Sequence, residues 1–286
     1  MASRAVLVTG SSGGFGLETA VLLAARGWRV FATMRDPARR TALHERLVRA
    51  GARAEVLTLD VTDGATVERA VGRALELAGG LDAVVSNAGV GDAGFFEDMP
   101  DADARRVMET NFFGTLALAR AVLPSMRERG HGRIVAVSSV GAFAASPGLS
   151  VYGASKWALE GWAEALAIEV APFGIDVALV EPGTYRTGIW TAAAISRRPG
   201  SPYTRFVEAM EPRIRDSVER FGRDPREVAE RIAAVLEARR PPLRNPVGPD
   251  AHVTRALAHA LPFRTRRAIV SRMVGLHQAP GQGHTP

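Results

Sequence analysis

The sequence predicts an α/β fold: a single doubly wound parallel sheet with helices on both faces and a C-terminal helical extension. Three observations lead there. Short, β-rich apolar runs alternate with longer helical patterns along most of the 286 residues. The runs are continuously apolar rather than alternating in polarity, as parallel strands covered on both faces are. Right-handed crossovers between such strands wind the sheet in two directions from a central strand.

The first run is Ala5–Thr9, and a Gly-rich turn carries it into an apolar-periodic helix at 14–26. Arg29–Met34 and Ala54–Leu59 read as the second and third strands, followed by helices at 38–50 and 63–78. Asp82–Ser86 is the fourth strand and leads to a long helix at 102–128. Arg133–Ser138 precedes a helix at 150–171, and Ile175–Glu181 precedes one at 225–238. Leu243–Val247 reads as a short seventh strand. On this reading residues 1–248 are one dinucleotide-binding and catalytic domain, with 188–222 an irregular helical excursion covering the substrate. Residues 249–286 are a basic extension. Its end, Gln278–Pro286, has the polar, Gly- and Pro-containing composition of a disordered terminus.

Composition removes several chemistries. There is no cysteine, which excludes disulfides, thiolate metal sites and a cysteine nucleophile. The histidines at 44, 131, 252, 259, 277 and 284 lack metal-ligand spacing, so no metal is expected. The first strand starts at Ala5, leaving no room for a signal peptide, and no apolar run approaches the roughly 18 residues of a membrane span. A cytoplasmic protein is therefore expected. The net charge of +6 is concentrated at one end: residues 239–286 hold eight Arg against one acid, Asp250. The remainder is near neutral, and no nucleic-acid groove is expected. Of the 36 basic residues only Lys156 is a lysine. Where Arg serves almost everywhere, the single Lys is a candidate for work that a guanidinium cannot do.

The turn after the first strand reads Thr9-Gly10-Ser11-Ser12-Gly13-Gly14-Phe15-Gly16. Gly10 permits a tight exit from the strand, and Gly14 and Gly16 let a helix begin close to a dinucleotide. Free N–H groups at that helix start face a pyrophosphate. The pattern carries weight through its place between first strand and first helix, which makes the fold Rossmann-type. Cofactor choice is read at the end of the second strand. There Met34 cannot accept a ribose hydroxyl, and Arg35 suits a 2′-phosphate through charge-assisted bonds. NADP(H) is the expected cofactor. Asp36 is the competing feature, because a longer strand would bring its carboxylate to the ribose and reverse the choice.

The catalytic signal is Ser139 at the end of the fifth strand, followed by Tyr152-Gly-Ala-Ser-Lys156 at the start of a helix. A spacing of four puts Tyr152 and Lys156 on one helical face. A phenol is a poor base at neutral pH. A nearby ammonium and an oxidised nicotinamide ring favour phenolate and should lower its pKa. Tyr152 then exchanges the alcohol proton as hydride moves, while Ser139 holds the substrate oxygen. Lys156 would also bind the nicotinamide ribose.

Together these residues resemble the short-chain dehydrogenase/reductase family over roughly residues 4–240. Leu59-Asp60-Val61, Asn87-Ala88-Gly89, Asn111 and Pro182-Gly183-Thr184-Tyr185-Arg186-Thr187 extend the likeness. The resemblance implies that Asp60, beside Val61, binds the adenine amino group and that Asn87, with Ala88 and Gly89, supports the cofactor and sheet. It implies that Asn111 completes a catalytic tetrad through a water to Lys156. Pro182, Gly183, Tyr185 and Thr187 would meet the nicotinamide carboxamide. Each also has a plain structural reading: Asp60 as a helix cap, Asn87 as a turn residue, Asn111 as a polar group inside a helix. Phe15, Ser86 and Tyr185 depart from the family pattern, and Tyr185 beside the nicotinamide would narrow the pocket. A homodimer or homotetramer is implied as well.

Val140, Phe143, Ala145, Pro147, Leu149, Ile189, Trp190 and Ile195 form an apolar rim, which suits a hydrophobic alcohol or carbonyl substrate. Details after the second strand and the long tail are similar to the family branch acting on steroids and retinoids; a ketone or aldehyde reductase with unrelated substrates fits as well. In the tail, Val253, Leu257 and Leu261, then Ile269, Val270, Met273 and Val274, recur at helical spacing opposite arginines. A membrane-surface helix and a helix docked on its own domain or a partner subunit both fit. The stretches are short and split by Pro262, which favours docking. A non-catalytic dinucleotide-binding regulator would share the fold but would not require Tyr152 and Lys156.

Overall fold

The computed structural model describes residues 3–189 and 195–276. The expectations for Trp190 and Gln278–Pro286 lie outside those residues. Strand β1 (Ala5–Val8) is buried along its whole length because it lies inside a sheet covered on both faces. The other strands are β2 (Arg29–Met34), β3 (Ala54–Thr58), β4 (Ala83–Ser86), β5 (Gly132–Val137), β6 (Ile175–Pro182) and β7 (Arg244–Val247). Their order is β3-β2-β1-β4-β5-β6-β7, and every pairing is parallel. The order reverses between β1 and β4, which opens a crevice at the carboxyl edge.

Helices α1 (Gly14–Ala25), α2 (Thr41–Arg49) and α8 (Arg226–Glu237) cover one face. Leu17, Leu23, Leu43 and Ile232 pack there on Val6, Val8, Val30 and Val180. Helices α3 (Gly64–Ala78), α5 (Gly114–Arg129) and α6 (Ser150–Val170) cover the other, where Val67, Val122 and Leu166 meet Leu7, Phe31 and Leu179. Alternate residues of one strand thus enter two separate cores, which is why the strands read as unbroken apolar runs.

The structure departs from the expected elements in three places. The helix expected at 38–50 begins as a single 3₁₀ turn, Pro37–Arg40, before α2. The helix expected at 102–128 is α4 (Asp101–Met108) joined to α5 through a π turn, Glu109–Phe113. Part of the excursion is regular after all: α7 (Thr204–Phe221) runs for 18 residues although Pro212 lies inside it. The extension forms α9 (Pro249–Ala260) and α10 (Phe263–Met273), with Pro262 between them as the N-cap of α10. Among the described residues no helix is long and apolar enough to cross a membrane.

Candidate active site

The glycine turn sits at the crevice. Gly10 has φ 71°, in the left-handed region where only glycine is unstrained. Gly16 is fixed by proximity: a Cβ there would lie 2.3 Å from the Gly10 carbonyl oxygen and 2.5 Å from Asn87 Nδ2. Thr9, a residue that spacing alone did not single out, fastens this turn to β4. Its hydroxyl accepts from the backbone N–H of Asn87 at 2.9 Å and of Ala88 at 3.0 Å, and Asn87 Nδ2 returns a bond to the Thr9 carbonyl at 2.9 Å. Asn87 is therefore both a turn residue and a sheet tie. Helix α1 has Gly13 as its N-cap, with no side-chain cap and no acidic residue in its first turn, and a Cβ on Gly13 would meet nothing within 4 Å. An uncapped helix start with open space before it fits an anionic pyrophosphate. Ser12 and Phe15 are partly exposed in this turn.

Strand β2 ends at Met34, as the cofactor argument required. Asp36 is committed to local structure, its Oδ1 accepting from Ala38 N at 2.9 Å as N-cap of the 3₁₀ turn. Arg35 is exposed and has no hydrogen-bond or ion-pair partner among the described residues. Asp60 folds onto its own turn, accepting from the Thr62 N–H and hydroxyl, while Asp63 rather than Asp60 caps α3. Val61 is buried against Gly114 of α5.

Ser139, Tyr152 and Lys156 come together beyond the end of β5. Ser139 Oγ accepts from Gly141 N at 3.0 Å, which shapes a 3₁₀ turn, Val140–Ala142, against the Tyr152 ring. Ser139 also hydrogen-bonds the Tyr152 hydroxyl. Lys156, on the same face of α6, places Nζ 5.8 Å from the centroid of the Tyr152 ring and donates to the Val137 carbonyl at 2.9 Å. Asn111 lies in the π turn, where the widened helix lets its amide reach inward. It bonds both backbone groups of Val90 and donates to Ser155 Oγ at 3.0 Å, next to Lys156. Gly89 leaves room for it, since a Cβ there would lie 3.2 Å from Asn111 Oδ1. Ser86, the departure from the family pattern, shares a 2.8 Å bond with Thr115.

Burial shifts both titratable groups. It pushes the Tyr152 phenol above its usual value, and the Ser139 hydrogen bond only partly opposes this. It also brings Lys156 down to about 8, against the pull of the Glu160 charge.

Tyr185 corrects an expectation. Its ring is buried in the core, edge-on to Phe15 at 5.5 Å, and its hydroxyl donates to Glu227 at 3.3 Å. It therefore does not narrow the pocket. Pro182 is buried, and Thr187 sits beside Gly14. The extension meets this segment: Asp250 Oδ2 accepts from Thr184 N at 2.6 Å, and a Cβ on Gly183 would collide with that carboxylate. Of the apolar rim, Phe143 is buried with the Arg255 guanidinium of α9 5.5 Å from its ring. Ile195 joins a cluster that rim reasoning missed, in which Phe95 stacks on Tyr203 and packs with Val207 and Met210 of α7.

A turn for a dinucleotide and a Ser–Tyr–Lys set on one sheet edge define an oxidoreductase class, and comparison with known proteins agrees. The family model for short chain dehydrogenases matches residues 4–197. The 3-ketodihydrosphingosine reductase of Bacteroides thetaiotaomicron is 36% identical over 256 residues, covering 88% of this chain and 91% of that protein. Human retinol dehydrogenase 8 is 37% identical over 254 residues (85% and 81%), and human 17-beta-hydroxysteroid dehydrogenase type 1 is 35% identical over 261 (85% and 77%). A short-chain dehydrogenase structure from Streptomyces avermitilis superposes with TM-score 0.80 at 35% identity, covering 98% and 99% of the chains. Structures of similar fold hold either cofactor. The actinorhodin polyketide ketoreductase carries NADPH (TM-score 0.72, 30% identity, 88% and 92% covered). A Burkholderia phymatum protein carries NAD (0.77, 24%, 98% and 96%). This chain belongs to the short-chain dehydrogenase/reductase family of oxidoreductases, with relatives in its steroid and retinoid branch.

Proposed function

We propose that the protein is an NADP(H)-dependent oxidoreductase interconverting a hydrophobic secondary alcohol and ketone, or a primary alcohol and aldehyde, with Tyr152 as general acid and base. The observation that carries this reading is the joint burial of Tyr152 and Lys156 one helical turn apart, with Tyr152 hydrogen-bonded to Ser139 at the carboxyl edge of the sheet. When bound, the nicotinamide supplies or accepts the hydride. Gly10, Ser12, Gly14, Phe15 and Gly16 would hold the pyrophosphate and Arg35 the 2′-phosphate. Asp60 and Val61 would meet the adenine end, and Asn87, Ala88 and Gly89 would back the cofactor. Pro182, Gly183, Tyr185 and Thr187 would serve the nicotinamide end, Tyr185 through its backbone alone.

In reduction Tyr152 gives its proton to the carbonyl oxygen, which Ser139 holds by a hydrogen bond. The raised phenol pKa keeps that proton in place at neutral pH, so the resting protonation state serves reduction. In oxidation Tyr152 must act as phenolate, and the Lys156 ammonium is the charge in this chain that favours it. Asn111 orders the Val90 backbone and Ser155 around Lys156. The apolar cluster of Phe95, Tyr203, Val207 and Met210 supports a hydrophobic substrate. So do the relatives, named for a ketosphingoid base, retinol and a hydroxysteroid.

The test is Tyr152→Phe, assayed by NADPH oxidation against hydrophobic ketones and aldehydes. Turnover should fall about a thousandfold while NADPH affinity stays within about twofold. Substantial turnover in that variant would overturn the assignment of Tyr152. Binding without hydride transfer in the wild type, across such a panel, would instead support a regulatory protein.

A further inference from the structure

The extension has an inner side that is anchored and an outer side that is not. On the inner side Ala251 is buried, the Arg255 guanidinium lies 5.5 Å from the Phe143 ring, and Val274 and Leu276 pack on the Phe95 cluster. Arg213 of α7 donates to the Met273 carbonyl at 2.8 Å. These contacts dock the extension on its own domain.

Most of its large apolar side chains take no part in that docking. Val253, Leu257, Phe263, Ile269 and Met273 are five of the twelve large apolar side chains exposed among the described residues, although α9 and α10 are only 12 and 11 residues long. On α9, Val253, Ala256, Leu257 and Ala260 share one helical face, and all four are exposed. On α10, Phe263 is 62% and Met273 70% exposed, with Ile269 one turn before Met273. The same helix carries Arg264, Arg266, Arg267 and Arg272 and no carboxylate, and none of the four has an ion-pair partner among the described residues. Arg264, Arg267 and Arg272 are exposed. The one acid of the extension, Asp250, is engaged with Thr184 N.

Exposed apolar side chains beside unpaired arginines restrict what can cover this side. A second copy would set arginine against arginine with no carboxylate between them. A nucleic acid would match the charge but leave the apolar side chains in water. An anionic lipid surface takes both: guanidinium groups reach its phosphates and carboxylates while Leu257, Phe263, Ile269 and Met273 enter the acyl boundary. Helices this short are marginal in isolation, and the domain beneath holds them formed before they meet a membrane.

We propose that the outer side of α9 and α10 is a docking surface for a membrane containing anionic lipid. The proposal stands on the arrangement of the extension and not on the catalytic reading.

The test is flotation of the whole chain with phosphatidylcholine vesicles, pure or with about 30 mol % phosphatidylserine, without cofactor or substrate. The wild type should partition at least about tenfold more strongly onto the phosphatidylserine vesicles, and about 0.5 M NaCl should remove most of that preference. Arg264→Gln, Arg267→Gln and Arg272→Gln together should reduce binding to the level on pure phosphatidylcholine. An equal change of charge at three exposed arginines of the main domain, Arg53→Gln, Arg69→Gln and Arg120→Gln, should leave it within about twofold. Phe263→Gln with Met273→Gln should weaken binding to phosphatidylserine vesicles about tenfold or more. Thermal melting checks that each variant is folded.

A wild type that does not distinguish the two vesicles overturns the proposal. So does a main-domain variant that loses as much as the α10 variant, or an apolar variant that binds like the wild type, since net charge alone would then explain the binding. Displacement of the wild type from vesicles by duplex DNA would make the face a nucleic-acid site. A wild-type dimer that falls apart in the apolar variant, seen by sedimentation velocity, would make it an interface between copies. Either result overturns the lipid assignment.

Discussion

Around Gly10–Gly16 the chain is held by main-chain groups and small side chains, whereas around Phe95–Met210 it is held by large apolar ones. In the first region, Gly16 touches the Gly10 carbonyl and Thr9 ties the turn to β4, so nearly every contact is backbone to backbone or one hydroxyl away. In the second, Phe95 from the loop after β4, Tyr203 and Met210 from the excursion, and Val274 and Leu276 beyond α10 form a small cluster of their own. A seat made of backbone tolerates almost no added atom. A cover made of side chains can be repacked, and its composition determines what fits beneath it. Under the proposed function, the difference separates a half that would fix the reaction from a half that would select the substrate.

The most severe way to break that comparison is Gly16→Ala. The new methyl would have to displace backbone, and the variant should lose about 2–4 kcal/mol of stability, together with measurable NADPH binding. Gly13→Ala is its control, since a Cβ there meets nothing within 4 Å; its melting temperature should match the wild type. Equal melting temperatures for the two variants would show that the turn is not the rigid seat described.

Arg35→Ala tests the same half without touching the fold, because Arg35 is exposed and unpaired among the described residues. Losing charge-assisted bonds to a 2′-phosphate should raise KM for NADPH about tenfold to a hundredfold and leave KM for NADH nearly unchanged. A parallel loss with both cofactors would sink the assignment of Arg35, and a wild type that prefers NADH would sink the choice of NADP(H).

The same contrast explains what was legible in the sequence. The strands, the glycine turn and the Tyr152–Lys156 pair obey short-range rules: a period, a spacing of four, a glycine where φ is positive. Asn111 was visible as a residue, but the π turn that lets it reach Val90 and Ser155 was not, because apolar periodicity does not reveal one widened turn. Tyr185 was misjudged for the same reason. Its position beside the nicotinamide segment was readable, but the partners that draw its ring into the core, Phe15 and Glu227, are far away in sequence. The Asp250–Thr184 bond joins segments 66 residues apart, and nothing local marks it.

Asp250 fastens the extension to the segment that follows β6, and it carries the last and smallest effect. Its carboxylate stands at the first turn of α9, where negative charge is favourable, and accepts from Thr184 N in the segment that follows β6. Asp250→Ala removes a charge-assisted bond, but it also removes Oδ1, which is buried without a partner, so part of the loss is returned. The net cost should be about 1 kcal/mol. A second effect should exceed what that figure suggests. Loosening α9 also loosens α10, whose end receives a 2.8 Å bond from Arg213 of α7 at the Met273 carbonyl. Limited proteolysis of the extension should therefore accelerate in the variant, and KM should rise a few-fold for both cofactor and substrate. Asp250→Asn, which keeps an acceptor oxygen and loses the charge, should fall between the two. If Asp250→Ala alters the cofactor constant alone, the extension serves only the backbone seat, and the side-chain cover stands without it.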